Sequence, residues 1–280
     1  YRFLRKYDSV LYSAVAGYFS IFTGSSGIER SMNSLLAGQS SAQFFEQINA
    51  LLDGTPVTGA AVELSLDPAV QRAAWDALGG RKGAVVALDP TTGRILAMVS
   101  KPTFDANLMS GHEYDPVNQA YRDYLDDPDK PLVNRAIGGD LYPPGSVFKL
   151  IVAAAAIESG RYSTTTTFEN LASYRLPGTT TTIQNSSNNT CGEGVLVTLE
   201  QALIRSCNIP FAMLAVDLGQ DRIRAMAELM GFGDELAIPL SVTPSVYPTN
   251  LELSQLALTG FGQFDVRVSP LQMAMTTAAI

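Results

Sequence analysis

Apolar and polar positions alternate along this chain in two recurring patterns, and each predicts a type of element. Gly83–Leu88 and Arg94–Val99 are short β-rich runs on either side of Asp89-Pro90-Thr91-Thr92-Gly93, a turn composition that predicts a hairpin. Val62–Leu66 reads as a further strand. Helical spacing takes over at Asp67-Pro68, an N-cap followed by a first-turn proline, and predicts a helix to Leu78 stopped by Gly79-Gly80. An alanine-rich helix is expected from Ser146 to Gly160. Thr198-Leu199-Glu200-Gln201 has the form of a capping box opening a short helix that stops near Ser206. Pro210 is expected as the first residue of the next helix, closed by Gly219. Asp221–Met230 is expected to be another, and Ser269-Pro270-Leu271-Gln272 to begin a last one. Between these elements, Lys101–Asp140 has weak periodicity and is expected as a long loop. Ser163–Asn189, rich in Thr, Ser and Asn, reads as short strands and loops. Residues 1–60 differ in texture: aromatic and small residues alternate through Tyr7–Phe22, followed by a flexible Thr23–Gly27, a helical Ile28–Leu36 and a linker at Thr55–Gly59.

Composition narrows the class. The chain has 280 residues, 46% of them hydrophobic and 16% charged, enough apolar material for a sizeable core and too little charge for disorder. A net charge of −8 without any Lys/Arg cluster excludes the basic face that a nucleic-acid partner would require. The longest apolar runs, Ile151–Ile157 and Ala212–Leu218, fall well short of the roughly 18 to 20 residues that cross a bilayer. The sequence starts at Tyr1 without a signal-peptide layout and stops at Ile280 inside a helical pattern, so a fragment trimmed at both ends is expected. One histidine, His112, and two cysteines, Cys191 and Cys207, do not supply the three or four clustered ligands of a metal site. His112, beside Gly111, reads as a loop residue, and the sole tryptophan, Trp75, as packing. Without a histidine base, any serine nucleophile must find a different proton acceptor.

Pro144-Gly145-Ser146-Val147-Phe148-Lys149 offers one. Residues three apart on a helix share a face, so Ser146 and Lys149 are expected side by side. Lysine becomes a base when burial disfavours its ammonium form, and a serine hydroxyl needs such a neighbour to attack a carbonyl. The helix N-terminus favours developing negative charge, which makes the Ser146 backbone N–H a candidate oxyanion donor. The bare S-x-x-K spacing is weak, and a capped core helix with a solvated lysine fits it equally. Ser206-Cys207-Asn208, in a turn between two helices and pinned by Pro210, can present a hydroxyl and an amide to the same cleft. As a pattern S-x-N is uninformative, because Ser31-Met32-Asn33 and two copies within Ser186–Asn189 share it.

Taken together, Tyr142–Lys149 and Arg205–Asn208 resemble the first two active-site motifs of penicillin-binding proteins. Leu66–Gln71, Gly83–Gly93, Gly262-Gln263 and Ser269–Ala274 match the same family in order and spacing, so the resemblance covers about residues 60–280. Residues 1–60, with Gly27–Arg30 and Leu35–Gly38, resemble the tail of the non-catalytic pedestal of class B, monofunctional members, with an actinobacterial texture. The resemblance implies an α/β (α+β) fold, a helical cluster plus antiparallel sheet shared with serine β-lactamases. It divides the chain into a partial pedestal (1–60) and an incomplete transpeptidase domain (61–280), whose last strands lie beyond Ile280. It implies Ser146, Lys149, Ser206 and Asn208 as catalytic, Gly145, Phe148 and Cys207 as substrate-binding, and neither cofactor nor metal. The expected substrates are peptidoglycan stem peptides ending in D-Ala-D-Ala, with β-lactams as acylating mimics and other cell-wall synthesis or division proteins as partners. The expected location is the outer face of the bacterial membrane, behind a single N-terminal anchor. The family's K-T-G motif is missing, since no lysine here precedes Thr-Gly, and it is expected past Ile280; the fragment alone is then expected to be inactive. In an extracytoplasmic protein, Cys191 and Cys207 fit either a disulfide bracing the Ser206 turn or two buried thiols. The competing functions are a serine β-lactamase, a β-lactam sensor or silent scaffold, and a carboxypeptidase.

Overall fold

A computed structural model describes residues 4–55 and 58–280, so part of the expected Thr55–Gly59 linker lies outside the described residues. The chain forms two compact units, Tyr1–Asp140 with Ala237–Thr243, and Leu141–Leu236 with Pro244–Ile280. The boundary expected near residue 60 falls inside the first of them.

The first unit contains α1 (Ser13–Ala16), β1 (Phe19–Ser20), β2 (Gly24–Ser25), α2 (Gly27–Ser31), α3 (Asn33–Leu36) and α4 (Phe44–Asp53). After these come α5 (Pro68–Leu78), β3 (Gly83–Leu88), β4 (Ile95–Lys101) and α6 (Tyr114–Asp126). β3 and β4 are the expected antiparallel hairpin, with a register shift at Ala87/Leu88. α5 starts where its signal lies: Asp67 Oδ1 accepts from the N–H groups of Ala69 and Val70 at 2.8 and 3.0 Å. Its apolar stripe, Val70, Ala74, Trp75 and Leu78, packs on Val85, Ala97 and Val99 of the hairpin. Gln71 is fully buried and joins α5 to β4, its Nε2 donating to Met98 O and its Oε1 accepting from Met98 N. At the other end of the helix Lys101 Nζ donates to the carbonyls of Trp75 and Gly79 and sits 4.0 Å from the Trp75 ring centroid. A cation over the indole and on the C-terminal carbonyls complements the helix dipole, so Trp75 is packing with an electrostatic partner.

Two expectations in this unit need correction. Val62–Leu66 forms no strand; it is tied to β4 by a Ser65 Oγ bond to Ile95 O and one backbone bond from Asp67 N to Leu96 O. Lys101–Asp140 is not a continuous loop, because it holds α6. That helix has Asp115 and Pro116 in its first turn, as a helix start should, yet it buries only Val117 fully. Its core contacts are aromatic: Tyr121 meets Tyr18 and Tyr124 meets Phe104, at centroid distances of 6.3 and 6.1 Å.

The second unit contains α7 (Lys149–Glu158), β5 (Thr167–Glu169), β6 (Ser173–Arg175), β7 (Thr182–Gln184) and β8 (Leu196–Thr198). Its remaining helices are α8 (Leu199–Ile204), α9 (Asn208–Leu218), α10 (Gln220–Leu229), α11 (Leu253–Thr259) and α12 (Pro270–Ala278). β5 pairs with β8 and β6 with β7, both antiparallel. α7 and α9 are apolar around most of their circumference and form the centre of the core, with Ile151, Val152, Ala156, Phe211 and Leu214 almost fully excluded from solvent. Gly260 lets the end of α11 approach α9, since a Cβ there would lie 2.3 Å from Phe211 O. The capping box at Thr198 and the Ser269 N-cap form as expected. α11 opens on a box made by Glu252 and Gln255, which the sequence reading passed over.

Candidate active site

The approach to Ser146 is held in place by backbone. Tyr142 exchanges two hydrogen bonds with Val268, at 2.9 and 2.8 Å, and Gly145 N donates to Gly262 O at 3.0 Å. Gly145–Phe148 is a single 3-10 turn that runs into α7, so Ser146 precedes the α-helix instead of opening it. Gly262 has φ +71° and so little room that a Cβ would fall 2.0 Å from Gly145 O. Only glycine meets both conditions. Gly262→Ala is therefore expected to displace the 145–148 turn and lower the melting temperature; wild-type melting in that variant would contradict the close approach.

The 3-10 turn then divides its side chains. Ser146 is exposed, whereas Phe148 and Lys149 are fully buried. Lys149 Nζ lies 3.1 Å from Ser146 Oγ, 3.2 Å from Ser206 Oγ and 2.9 Å from Asn208 Oδ1, and donates to Ser206 O at 2.7 Å. The Phe211 ring centroid is 5.7 Å away. All of its partners are uncharged. Desolvation consequently brings the Lys149 pKa down from 10.5 to about 8. The four residues expected to be catalytic from their motifs thus converge on one amine.

Ser206 reaches this position through an uncommon backbone conformation, φ +55°, which turns both its carbonyl and its hydroxyl toward Nζ. A non-glycine residue in that region costs about 1 kcal/mol or more and persists only where its surroundings hold it. Those surroundings are visible. Cys207 is bonded to Cys191, sixteen positions earlier in sequence and with Cα atoms 5.8 Å apart, a closure worth roughly 3 kcal/mol in the chain-entropy model. Cys191 N donates to Asn170 Oδ1, and Asn170 Nδ2 donates to the carbonyls of Gly192 and Gly194. On the other side, Asn185 Oδ1 accepts from the N–H groups of Asn208 and Ile209, and Asn208 Nδ2 donates to Gln184 O.

Three details depart from the sequence reading. α9 begins at Asn208 with Cys207 in the N-cap position, so Pro210 is its third residue and not its first. The Phe148 side chain cannot meet a substrate, because it is buried in the core, stacked on Tyr247 at 5.8 Å and edge-on to Phe232. Cys207 is 3% exposed and engaged in the disulfide, so its side chain braces the turn and does not line the cleft. Gly145 stays half-buried beside Ser146. His112 lies in the bend before α6, in the other unit from Lys149. Asn185 and Asn170 were not singled out from sequence; in a Thr/Ser/Asn-rich stretch no local pattern distinguishes a buried asparagine from a solvated one. Among the described residues no cluster of three or more His, Cys, Asp or Glu is arranged to hold a metal, and no helix is long and apolar enough to cross a membrane.

An exposed serine, a desolvated lysine and a braced Ser-x-Asn turn thus meet at one place. The family model for the penicillin-binding protein transpeptidase domain matches residues 83–280, and that for the penicillin-binding protein A dimerisation domain matches residues 1–62. The chain belongs to the penicillin-binding protein transpeptidase family. It is 38% identical over 287 residues to the peptidoglycan D,D-transpeptidase PbpA of Mycolicibacterium smegmatis, covering 100% of this chain and 58% of that protein. To the peptidoglycan D,D-transpeptidase MrdA of Acinetobacter baumannii it is 32% identical over 273 residues, 91% of this chain and 39% of that one. Among solved structures, penicillin-binding protein A from M. tuberculosis as a penicillin G acyl-enzyme complex superposes with a TM-score of 0.94 at 36% identity, covering 100% of this chain and 65% of that one. Its imipenem acyl-enzyme complex gives 0.93 at the same identity, covering 99% and 65%. The chain thus spans less than two thirds of the length of these relatives.

Proposed function

We propose that residues 61–280 are the greater part of a serine D,D-transpeptidase domain that cross-links peptidoglycan stem peptides, and that residues 1–60 belong to its non-catalytic pedestal. The observation that carries this reading is the Lys149 amine, buried, uncompensated by any carboxylate and 3.1 Å from an exposed serine hydroxyl. In its neutral form Lys149 Nζ takes the proton of Ser146 Oγ as that oxygen attacks the carbonyl of the penultimate D-Ala. The backbone N–H of Ser146, in the 3-10 turn that leads into α7, is the oxyanion donor this chain supplies. Collapse of the tetrahedral adduct breaks the peptide bond. The leaving D-Ala amine then receives a proton through Ser206, whose hydroxyl is 3.2 Å from Lys149 Nζ. Asn208 holds the lysine and hydrogen-bonds the substrate amide. An amine of a second stem peptide attacks the resulting ester, forms the cross-link and restores Ser146. β-Lactams acylate the same hydroxyl.

The substrate-carboxylate site and the second oxyanion donor are assigned to a K-T-G-like motif that residues 1–280 do not contain. The names of the relatives, peptidoglycan D,D-transpeptidases, support an extracytoplasmic place, and with it we propose an N-terminal anchor and cell-wall synthesis proteins as partners.

The test is the fate of the acyl-enzyme. Full-length protein mixed with nitrocefin is expected to give one stoichiometric burst with the adduct on the peptide containing Ser146, and to release D-Ala from a stem-peptide mimic when an acceptor amine is present. Steady nitrocefin turnover would indicate a β-lactamase. A burst without D-Ala release would indicate a sensor, and release to water alone a carboxypeptidase.

A further inference from the structure

We infer that Asn185 is a positioning residue for acylation, acting through Asn208 on Lys149. The inference rests on the proposed role of Ser146 and extends it to a residue outside the recognised motifs. Asn185 is 4% exposed and lies just after β7, twenty-three residues before Asn208. Its amide is fully employed. Oδ1 accepts from Asn208 N at 2.9 Å and from Ile209 N at 3.0 Å, while Nδ2 donates to Asn189 O at 2.9 Å and Leu171 O at 3.3 Å.

The two N–H groups it receives are the first of α9, and the residue in the N-cap position, Cys207, has no side-chain oxygen to receive them. A helix start without a cap leaves buried donors unpaired, each costing about 1–3 kcal/mol. Asn185 therefore does from a distant strand what a local Ser or Asp does elsewhere. It fixes the backbone of Asn208, the residue whose Oδ1 holds Lys149 Nζ. The same residue is gripped a second time by this strand, since Asn208 Nδ2 donates to Gln184 O. Because Nδ2 is committed there, the Asn208 amide is left in the one orientation that points its oxygen at the lysine.

Lys149 is the group whose titration reports the effect. The elements packed against α7 carry Glu200, Asp217, Asp221, Arg222, Arg224 and Glu228, and the Ser206 turn carries Arg205. None of these bonds to Nζ, whose partners are Ser146, Ser206 and Asn208.

The experiment measures acylation of full-length protein by a fluorescent penicillin across pH, normalised to the folded fraction. Asn185→Ala is expected to lower the high-pH plateau by up to about 10²-fold. It should also move the midpoint to lower pH, because Nζ loses an acceptor that favours its charged form. Asn185→Asp keeps an acceptor for both N–H groups but loses the donor to Asn189 O and Leu171 O, so it is expected to restore the plateau in part and raise the midpoint by placing a carboxylate near the ammonium. A loss in Asn185→Ala that only tracks the folded fraction, with an unmoved midpoint, would overturn the inference. Should that variant not fold, Asn185→Asp decides alone, and an unshifted midpoint there would overturn it. The underlying reading is checked separately with Ser146→Ala. Continued labelling of that variant removes both assignments, whereas wild-type kinetics in the Asn185 variants removes only this one.

Discussion

Full-length protein carrying Ser146→Ala is expected to lose covalent labelling by a fluorescent penicillin altogether while melting at the wild-type temperature. The two halves of this outcome follow from different features. Ser146 is exposed and contributes no buried apolar surface, so deleting one oxygen falls within the ±0.5 kcal/mol typical of surface substitutions. The oxygen is nevertheless the one that lies 3.1 Å from the buried amine. The only other hydroxyl bonded to Lys149 Nζ among the described residues is Ser206, at 3.2 Å. That makes Ser206 the competing nucleophile, and the competition is decidable. Labelling that persists in Ser146→Ala and disappears in Ser206→Ala would transfer the nucleophile to the turn and leave Ser146 as the relay. Gel fluorescence and intact mass on both variants read this directly.

What could be read from sequence was what is written in neighbouring residues. Asp67-Pro68, Thr198–Gln201 and Ser269-Pro270 each carry their helix start within four positions, and all three caps form. Ser146 and Lys149 were legible for the same reason, being one turn apart, and Ser206-Cys207-Asn208 became so through its resemblance to a family motif. α6 escaped because its buried face is built from tyrosines that meet Tyr18 and Phe104, and an aromatic with a polar tip does not register as an apolar stripe. α11 escaped because glutamate is an unusual N-cap. Val62–Leu66 has the composition of a strand, yet it lacks the ladder partner that a composition cannot reveal. Phe148 was misassigned by proximity: adjacent residues on a turn point in different directions, and its ring lies in the core while Ser146 faces solvent. Asn185 was out of reach for a deeper reason. Its role depends on a contact twenty-three residues away, and nothing in Gln184-Asn185-Ser186 distinguishes it from its neighbours.

Lys149→Ala is expected to slow acylation by about 10²- to 10⁴-fold, the usual contribution of a positioned general base, with Ser146 still the labelled residue. Its pH signature separates this from simple disruption. On the proposed mechanism the competent form is the neutral amine, and burial places its pKa near 8, so about one molecule in ten would be competent at pH 7. The rate should rise with pH, level off above the midpoint and fall roughly tenfold per unit below it. Alanine removes that step, leaving a low rate without a midpoint near 8. Stability changes in a related way. Because the folded-state value is depressed below 10.5, the unfolded chain binds more protons between about 8 and 10.5, and wild-type stability rises with pH across that interval. The lysine's contribution is thus fully present above 10.5 and is lost as pH falls through 8, whereas the alanine variant lacks this slope. Its melting temperature should therefore approach or exceed that of the wild type at neutral pH, offset by the acceptors left unpaired on Ser206 and Asn208. A Lys149→Ala protein that retains the midpoint would mean that the titrating base is another group, and that the amine between Ser146, Ser206 and Asn208 serves only to hold the three together.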